Sequence, residues 1–151
     1  GVFLGTKHAI PLMTQSGGGS IINISSVAGL TGAAGLAGYC ATKGGVRLFS
    51  KAVAIECASG NTNIRVNSVH PGIIETDIWG KEIAGIAESQ PDLMDAGANR
   101  IDGKAFAEAV VPGGRLGHVS DVSRGVVFLA SDASSYMTGS ELVIDHGLSA
   151  S

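Results

Sequence analysis

A chain of 151 residues, 44% of them hydrophobic and 15% charged, is one domain's worth of globular protein with enough apolar matter for a real core. Its net charge of −3 argues against nucleic acid or an anionic membrane surface as a main partner. No apolar run approaches the ~18–20 residues of a membrane span.

Val2 to Gln15 reads as a helix, with Gly17-Gly18-Gly19 as its stop and the turn into a strand. Lys7 and His8 interrupt its apolar run and no cleavage pattern follows, which speaks against a secretory leader. The opening Gly-Val-Phe-Leu, with no methionine and a mid-helix pattern, suggests a piece of a longer protein. The glycine cluster follows a helix and precedes a strand, the reverse of a dinucleotide-binding fingerprint. Ile21–Ser25 is the expected strand, short and β-branched. Ser25 and Ser26 close it, and a hydroxyl there stands at the mouth of a parallel sheet, where open α/β folds bind ligands.

Ala28 to Gly38 is a loop of small residues able to shape a pocket. A helix is then expected from Tyr39 to about Ala58, with Val46, Phe49, Val53 and Cys57 at helical spacing and Ser59-Gly60-Asn61 as its end. Cys40 and Cys57 both fall on it, roughly 20 Å or more apart, too far to bond to each other. Reduced thiols and a cytoplasmic setting follow as the expectation. Asn63–Val69 is a second strand, and with the first strand and the helix between them it makes one right-handed parallel unit. His70-Pro71-Gly72 is expected to break it.

From Thr76 to Val111 the pattern is irregular, with small helical pieces around Trp79–Ala87 and Gly103–Ala109. An insertion of that size is usually functional, most often a lid, here about residues 76–111. Trp79 either lines a pocket or anchors that segment. Glu75 and Asp77 read as solvated charges rather than a metal pair, and the four histidines show no metal-ligand spacing. Val119 to Ser131 is another helix, Val122, Val126 and Leu129 forming its inner stripe and Ser120 its candidate cap. Gly139–Asp145 is the last strand, with Leu142, Val143 and Ile144 as its buried core. Arg65 reads as a surface charge and Asn67 as a turn-fixing side chain.

Tyr39 and Lys43 stand one helical turn apart on one face. A phenol alone is a poor acid or base at neutral pH, but a cation held beside it favours the phenolate. The pair can then give or take a proton at a carbonyl or alcohol oxygen, help worth about 10²–10⁴ in rate. The spacing alone is common. Ser26, thirteen residues ahead of Tyr39 at a strand's end, is what makes it specific.

Together these residues resemble the short-chain dehydrogenase/reductase family. The motifs that carry the resemblance are Asn23-Ile24-Ser25-Ser26, Tyr39-x-x-x-Lys43, Arg65-Val66-Asn67, Pro71-Gly72-x-x-x-Thr76, Gly114-Arg115-Leu116-Gly117, Phe128-Leu129-Ala130-Ser131-Asp132, and Thr138-Gly139 with Asp145. The resemblance runs from Gly1 nearly to Ser151 and corresponds to the family's second half. It implies an α/β fold: the C-terminal part of a doubly wound, parallel-sheet Rossmann-type domain, its N-terminal strands missing. Tyr39 would be the catalytic acid/base, Ser26 the hydroxyl that steadies the substrate oxygen, with Ser25 its competitor. Lys43 would assist the tyrosine and hold the nicotinamide ribose. Pro71, Gly72 and Ile74 would lie against the nicotinamide of NAD or NADP, and Thr76 would bond its carboxamide.

The implied reaction moves a hydride between a secondary alcohol or its ketone and that cofactor, with no metal, and with a homotetramer as the full-length assembly. The cofactor choice is not readable here, with a slight lean to NAD. The glycine-rich turn and the relay asparagine of the family would lie before Gly1, so these 151 residues by themselves are expected to be inactive. Asp145-His146-Gly147 departs from the usual Asp-Gly-Gly, and the chain's end gives no support for the magnesium that some bacterial secondary-alcohol dehydrogenases bind. The alternative reading is a catalytically silent relative acting as a binding or assembly partner. A serine hydrolase finds no Gly-x-Ser-x-Gly.

Overall fold

Strands that run parallel need a long crossover, so the helices between them must lie on the sheet's faces. A computed structural model, which describes residues 1–80 and 102–150, has this arrangement. β1 (Gly19–Ile24), β2 (Ile64–Pro71) and β3 (Glu141–Ile144) form a parallel sheet in the order β1-β2-β3. Gly19 pairs with Ile64 and Ile24 with Val69, while Ser68 pairs with Glu141 and Pro71 with Ile144.

The crossover α2 (Ala37–Ser59) and the first helix α1 (Val2–Gln15) cover one face. Val53, Ala54 and Cys57 of α2 bury themselves over Ile64 and Val66, with Ile10 and Met13 of α1, Ile21 and Phe49 packed around them. Phe3 of α1 tilts against Phe49, ring centroids 5.7 Å apart. Among the described residues, two further helices, α3 (Gly103–Val110) and α4 (Val119–Ala130), lie between β2 and β3 in the chain. Of these, α4 covers the opposite face. Ser20 donates to the Leu129 carbonyl, and a side chain at Gly125 would run into Leu142 and Ile144. Helices on both faces of a parallel sheet make the fold α/β and doubly wound.

Several local expectations change once the strands are paired. β2 continues through His70 and Pro71 instead of breaking there, because its ladder with β3 holds those residues extended and Gly72 N–H donates to Ile144 at 3.0 Å. The last strand is shorter than expected, and its Leu142, Val143 and Ile144 are half-buried or exposed rather than core, since β3 lies at the sheet's edge among the described residues. His118, not Ser120, caps α4: its Nδ1 accepts from Ser120 N–H at 3.2 Å while Asp121 accepts from the His118 N–H at 3.0 Å. This reciprocal pair satisfies two helix-end donors that Ser120, already inside the helix, could not reach.

Asn67 does fix a turn. Wholly buried, it donates to the Met137 carbonyl and accepts from Ser140 N–H, pinning the approach to β3. Arg65 is more than a surface charge: half-buried, it ties Ser134 and the Ser131 carbonyl to the sheet. Cys40 and Cys57 are free thiols. The helical piece expected near Trp79–Ala87 starts as a 3₁₀ turn, Asp77–Gly80, and its remainder lies outside the described residues, as does most of the expected lid. His146, where the resemblance has glycine, sits at φ 54°, in the left-handed region that favours glycine.

Glu141 at the start of β3 joins Arg47 and Lys51 of α2, each 2.8 Å away. The hydrogen bond from Arg47 leads in holding its carboxyl at about 2, against an ordinary 4.5, with Lys51 assisting and burial opposing. A carboxyl depressed in the folded state stabilises above its unfolded pKa, and that contribution fades as pH falls from about 4.5 towards about 2. Both cations are more than a third exposed, so screening limits the pair to roughly 1–2 kcal/mol. Urea unfolding of Glu141→Gln should therefore show about that deficit at pH 7 and none near pH 2. Equal stability at pH 7 would remove the claim.

Candidate active site

The polar residues on the sheet's α2-facing side are where local reading was weakest. Along β1 and β2 the alternation puts Asn23, Ser68 and His70 on the same side as the apolar Ile21, Ile64 and Val66. Each of these polar groups is buried, and each has a partner. Asn23 donates to Ser50 at 2.9 Å, and Ser50 donates onward to the Val46 carbonyl at 2.7 Å. Ser25, just past β1, donates to the Lys43 carbonyl at 2.8 Å. Apolar contacts alone would let α2 slide; these directional bonds set its register against the sheet. Tyr39 and Lys43 take their positions from that register.

Ser25 and Ser26 thus differ in what their hydroxyls do. Ser25 is buried and its hydroxyl is committed to the backbone of α2. Ser26 is half-buried, caps the 3₁₀ turn Val27–Gly29, and among the described residues its hydroxyl only accepts, from Ala28 N–H at 3.2 Å. Its proton remains available to an incoming acceptor. The turn then runs hard against α2: a Cβ at Gly29 would fall 2.7 Å from Ser25 Oγ and 2.8 Å from the Lys43 carbonyl.

Tyr39, half-buried, lies in the first turn of α2, and the Lys43 ammonium sits 5.6 Å from its ring centroid. The same ammonium donates to the Ile24 carbonyl at 3.1 Å, at the C-terminal end of β1. Partial burial pushes the Lys43 pKa below its ordinary value. Ser26, Tyr39 and Lys43 are therefore gathered where β1 ends, by one strand, one tight turn and one helix.

The second group of expected site residues follows β2. Pro71 ends the strand opposite Ile144. A Cβ at Gly72 would meet the Asp145 Cα at 2.8 Å, so the close approach of the two strand exits requires glycine there. Ile74 forms an isolated parallel bridge with Gly117. Thr76 is exposed, and among the described residues its hydroxyl reaches only the Ile74 carbonyl, at 3.5 Å. Trp79 is an anchor: its Nε1 donates to that same carbonyl at 2.7 Å and its ring lies on Phe106 of α3, centroids 5.7 Å apart.

A cavity of about 390 Å³ opens between Ile73, Ile74, Val143 and Ile144, with Arg115 and Asp121 among its charged lining. Of the expected site residues it includes Ile74 alone. Most of its charges pair with one another, Asp121 lying 3.0 Å from Arg115 and 3.8 Å from Arg124, while Asp145 accepts from the Gly147 and Ser149 N–H groups. Concavity and chemistry do not coincide here, and we place the candidate site on the chemistry at the end of β1.

Local reading missed His70, treated only as a strand breaker. A histidine two residues from a serine, in a strand that should be apolar on both faces, was the signal available. Among the described residues no cluster of histidine, cysteine, aspartate or glutamate could hold a metal ion.

Comparison with known proteins gives a consistent result. A family model described as "Enoyl-(Acyl carrier protein) reductase" matches residues 1–149. The 2,5-dichloro-2,5-cyclohexadiene-1,4-diol dehydrogenase LinX of Sphingobium indicum is 43% identical over 148 residues, covering 98% of this chain and 52% of the relative. Cyclopentanol dehydrogenase of Comamonas testosteroni is 43% identical over 149 residues, with 99% and 53% covered. The solved structure of ElxO with NADP bound superposes with a TM-score of 0.79 at 30% identity, over 99% of this chain and 54% of that one. The chain spans about half the length of the curated relatives it matches.

Proposed function

Since the chain belongs to the short-chain dehydrogenase/reductase family, we propose that Ser26, Tyr39 and Lys43 are the proton-handling half of an NAD(P)-dependent oxidoreductase site acting on a secondary alcohol or its ketone. The observation that carries this reading is the Lys43 ammonium, held between the Tyr39 ring and the end of the strand that leads into Ser26. In oxidation, Tyr39 takes the alcohol's proton while the Ser26 hydroxyl donates to the substrate oxygen and fixes its place. Lys43 offsets the negative charge on the phenol oxygen as the proton moves. Bound nicotinamide would supply the hydride acceptor, on the side where Pro71, Gly72, Ile74 and Thr76 lie. The donor set fits such a group: an ammonium has three N–H bonds, and Ile24 takes one of Lys43's, which leaves two for ribose hydroxyls.

The names of the two curated relatives describe cyclic alcohols, which favours a cyclic secondary alcohol as substrate. NAD and NADP both remain in the proposal, one solved neighbour holding NADP. Leu48 and Ile55 on α2, with Phe3 and Leu4 on α1, are exposed apolar side chains that support self-association, a homotetramer in the full-length protein. Free Cys40 and Cys57 suit the cytoplasm.

The test is label transfer. Full-length protein containing this chain, given cyclopentanol deuterated at its carbinol carbon and each cofactor in turn, should pass deuterium to the nicotinamide as absorbance at 340 nm rises. The 151 residues alone should form no NAD(P)H. Absence of transfer from a panel of cyclic and open-chain secondary alcohols would sink the assignment, and turnover by the isolated chain would sink the requirement for a longer one.

A further inference from the structure

His70 is wholly buried on β2, yet both its ring nitrogens have partners. Nδ1 lies 3.1 Å from the Ser26 carbonyl and Nε2 lies 2.9 Å from the Ser68 hydroxyl. A carbonyl can only accept, so Nδ1 must carry the proton. The neutral ring then offers a lone pair at Nε2, which the Ser68 hydroxyl fills by donating. One tautomer satisfies both contacts, and Ser68 is itself only 1% exposed.

What this bond holds matters more than the bond itself. The β1 ladder ends at Ser25, whose N–H donates to Val69 at 2.8 Å. Ser26 lies beyond it, where the chain turns away from the sheet. Its carbonyl takes Gly29 N–H at 2.9 Å, a bond within the turn, and the His70 Nδ1–H, a bond from β2. The imidazole is thus the sheet's hold on the Ser26 peptide. We propose that His70 is a positioning residue, its Nδ1–H fixing the Ser26 backbone so that the hydroxyl meets the substrate oxygen. This rests on Ser26 holding that oxygen, as proposed above. Burial, the leading influence, lowers the His70 pKa and keeps the ring neutral at pH 7, against the opposing pull of the Ser26 bond and Glu141, with Arg47 and Lys51 on the side of burial.

The full-length protein tests it in two ways. His70→Leu should lower kcat roughly 10–100-fold with KM within about threefold, since a misplaced group costs rate more than binding. His70→Asn, whose amide can place an N–H where Nδ1–H was, should recover most of that kcat. Unchanged kcat in the leucine variant, or equal losses in both folded variants, overturns the proposal. Should the leucine variant not fold, the parent protein decides: long-range ¹H–¹⁵N correlation of its histidine rings should find the Nδ1–H tautomer at pH 7. An Nε2–H tautomer or a doubly protonated ring there overturns it too. Tyr39→Phe assayed alongside separates the two ideas, because undiminished turnover in that variant refutes the site reading while the ring tautomer still reports on His70.

Discussion

Tyr39→Phe should remove about 10²–10⁴-fold of the alcohol-oxidation rate of the full-length protein while leaving its unfolding free energy within about 0.5 kcal/mol of the parent. The substitution deletes one oxygen from a half-buried ring in the first turn of α2. The Lys43 ammonium keeps its hold on the Ile24 carbonyl and can still lie over the phenyl face. Folding is therefore nearly blind to the change, and proton transfer is not. Without the phenol, the alcohol proton must leave to water, which lacks both the position and the neighbouring cation. Initial rates of NAD(P)H formation, read beside a urea titration, separate the two quantities. A rate equal to the parent's would end the catalytic role and favour a silent relative that serves in binding or assembly.

Gly29→Ala is expected to damage stability and activity together. The added methyl would fall 2.7–2.8 Å from Ser25 Oγ and from the carbonyl carbon and oxygen of Lys43, closer than real contacts allow. Two of those three atoms are backbone in the middle of a helix docked by the Asn23–Ser50 and Ser25–Lys43 bonds, so they cannot swing aside. The turn must retreat. That breaks the Ser25 hydroxyl's bond to Lys43 and drags Ser26, three residues back, with it. Overpacking costs about 1–3 kcal/mol and a stranded buried hydroxyl about 1–3 more, so a loss of about 2–6 kcal/mol is expected. A shift of about 1 Å at Ser26 should cost on the order of 10² in kcat. Urea midpoints and kcat measured on the same preparation give both; a variant as stable and as fast as the parent would show that the turn has more room than its contacts imply.

His70 and Gly29 act on the same short stretch from opposite sides. One holds the Ser26 carbonyl from β2, and the other lets the turn close onto α2. Neither touches the atoms that react. Both contacts hold a serine beyond the end of a strand, in a segment that would otherwise be free to drift.

Much was legible along the chain because it is encoded locally. The stripe Val46, Phe49, Val53, Cys57 predicted α2, which runs Ala37–Ser59, and its face does bury Val53 and Cys57. The β-branched runs predicted β1 and β2, and their parallel pairing followed from the helix between them. Tyr39 and Lys43 fall on one face because four residues make about one helical turn, a fact of backbone geometry that needs no partner. The family's motifs were readable for the same reason, each lying within a few consecutive positions.

What the sequence could not say concerns bonds between residues far apart in the chain. Whether Ser25 or Ser26 has a free hydroxyl depends on a carbonyl eighteen positions on. Whether His70 ends a strand or continues it depends on β3, and what its ring does depends on a carbonyl forty-four positions back. Arg65 became an anchor only through Ser134, and His118 a cap only once its backbone turned extended ahead of α4. Residue order alone settled the elements, their direction and the pairing of a tyrosine with a lysine, since those rest on short-range periodicity. Which polar groups are held and which keep a free hydrogen-bonding position was decided by tertiary structure, because a hydrogen bond needs its partner within about 3 Å and that distance exists only after the strands have found their register.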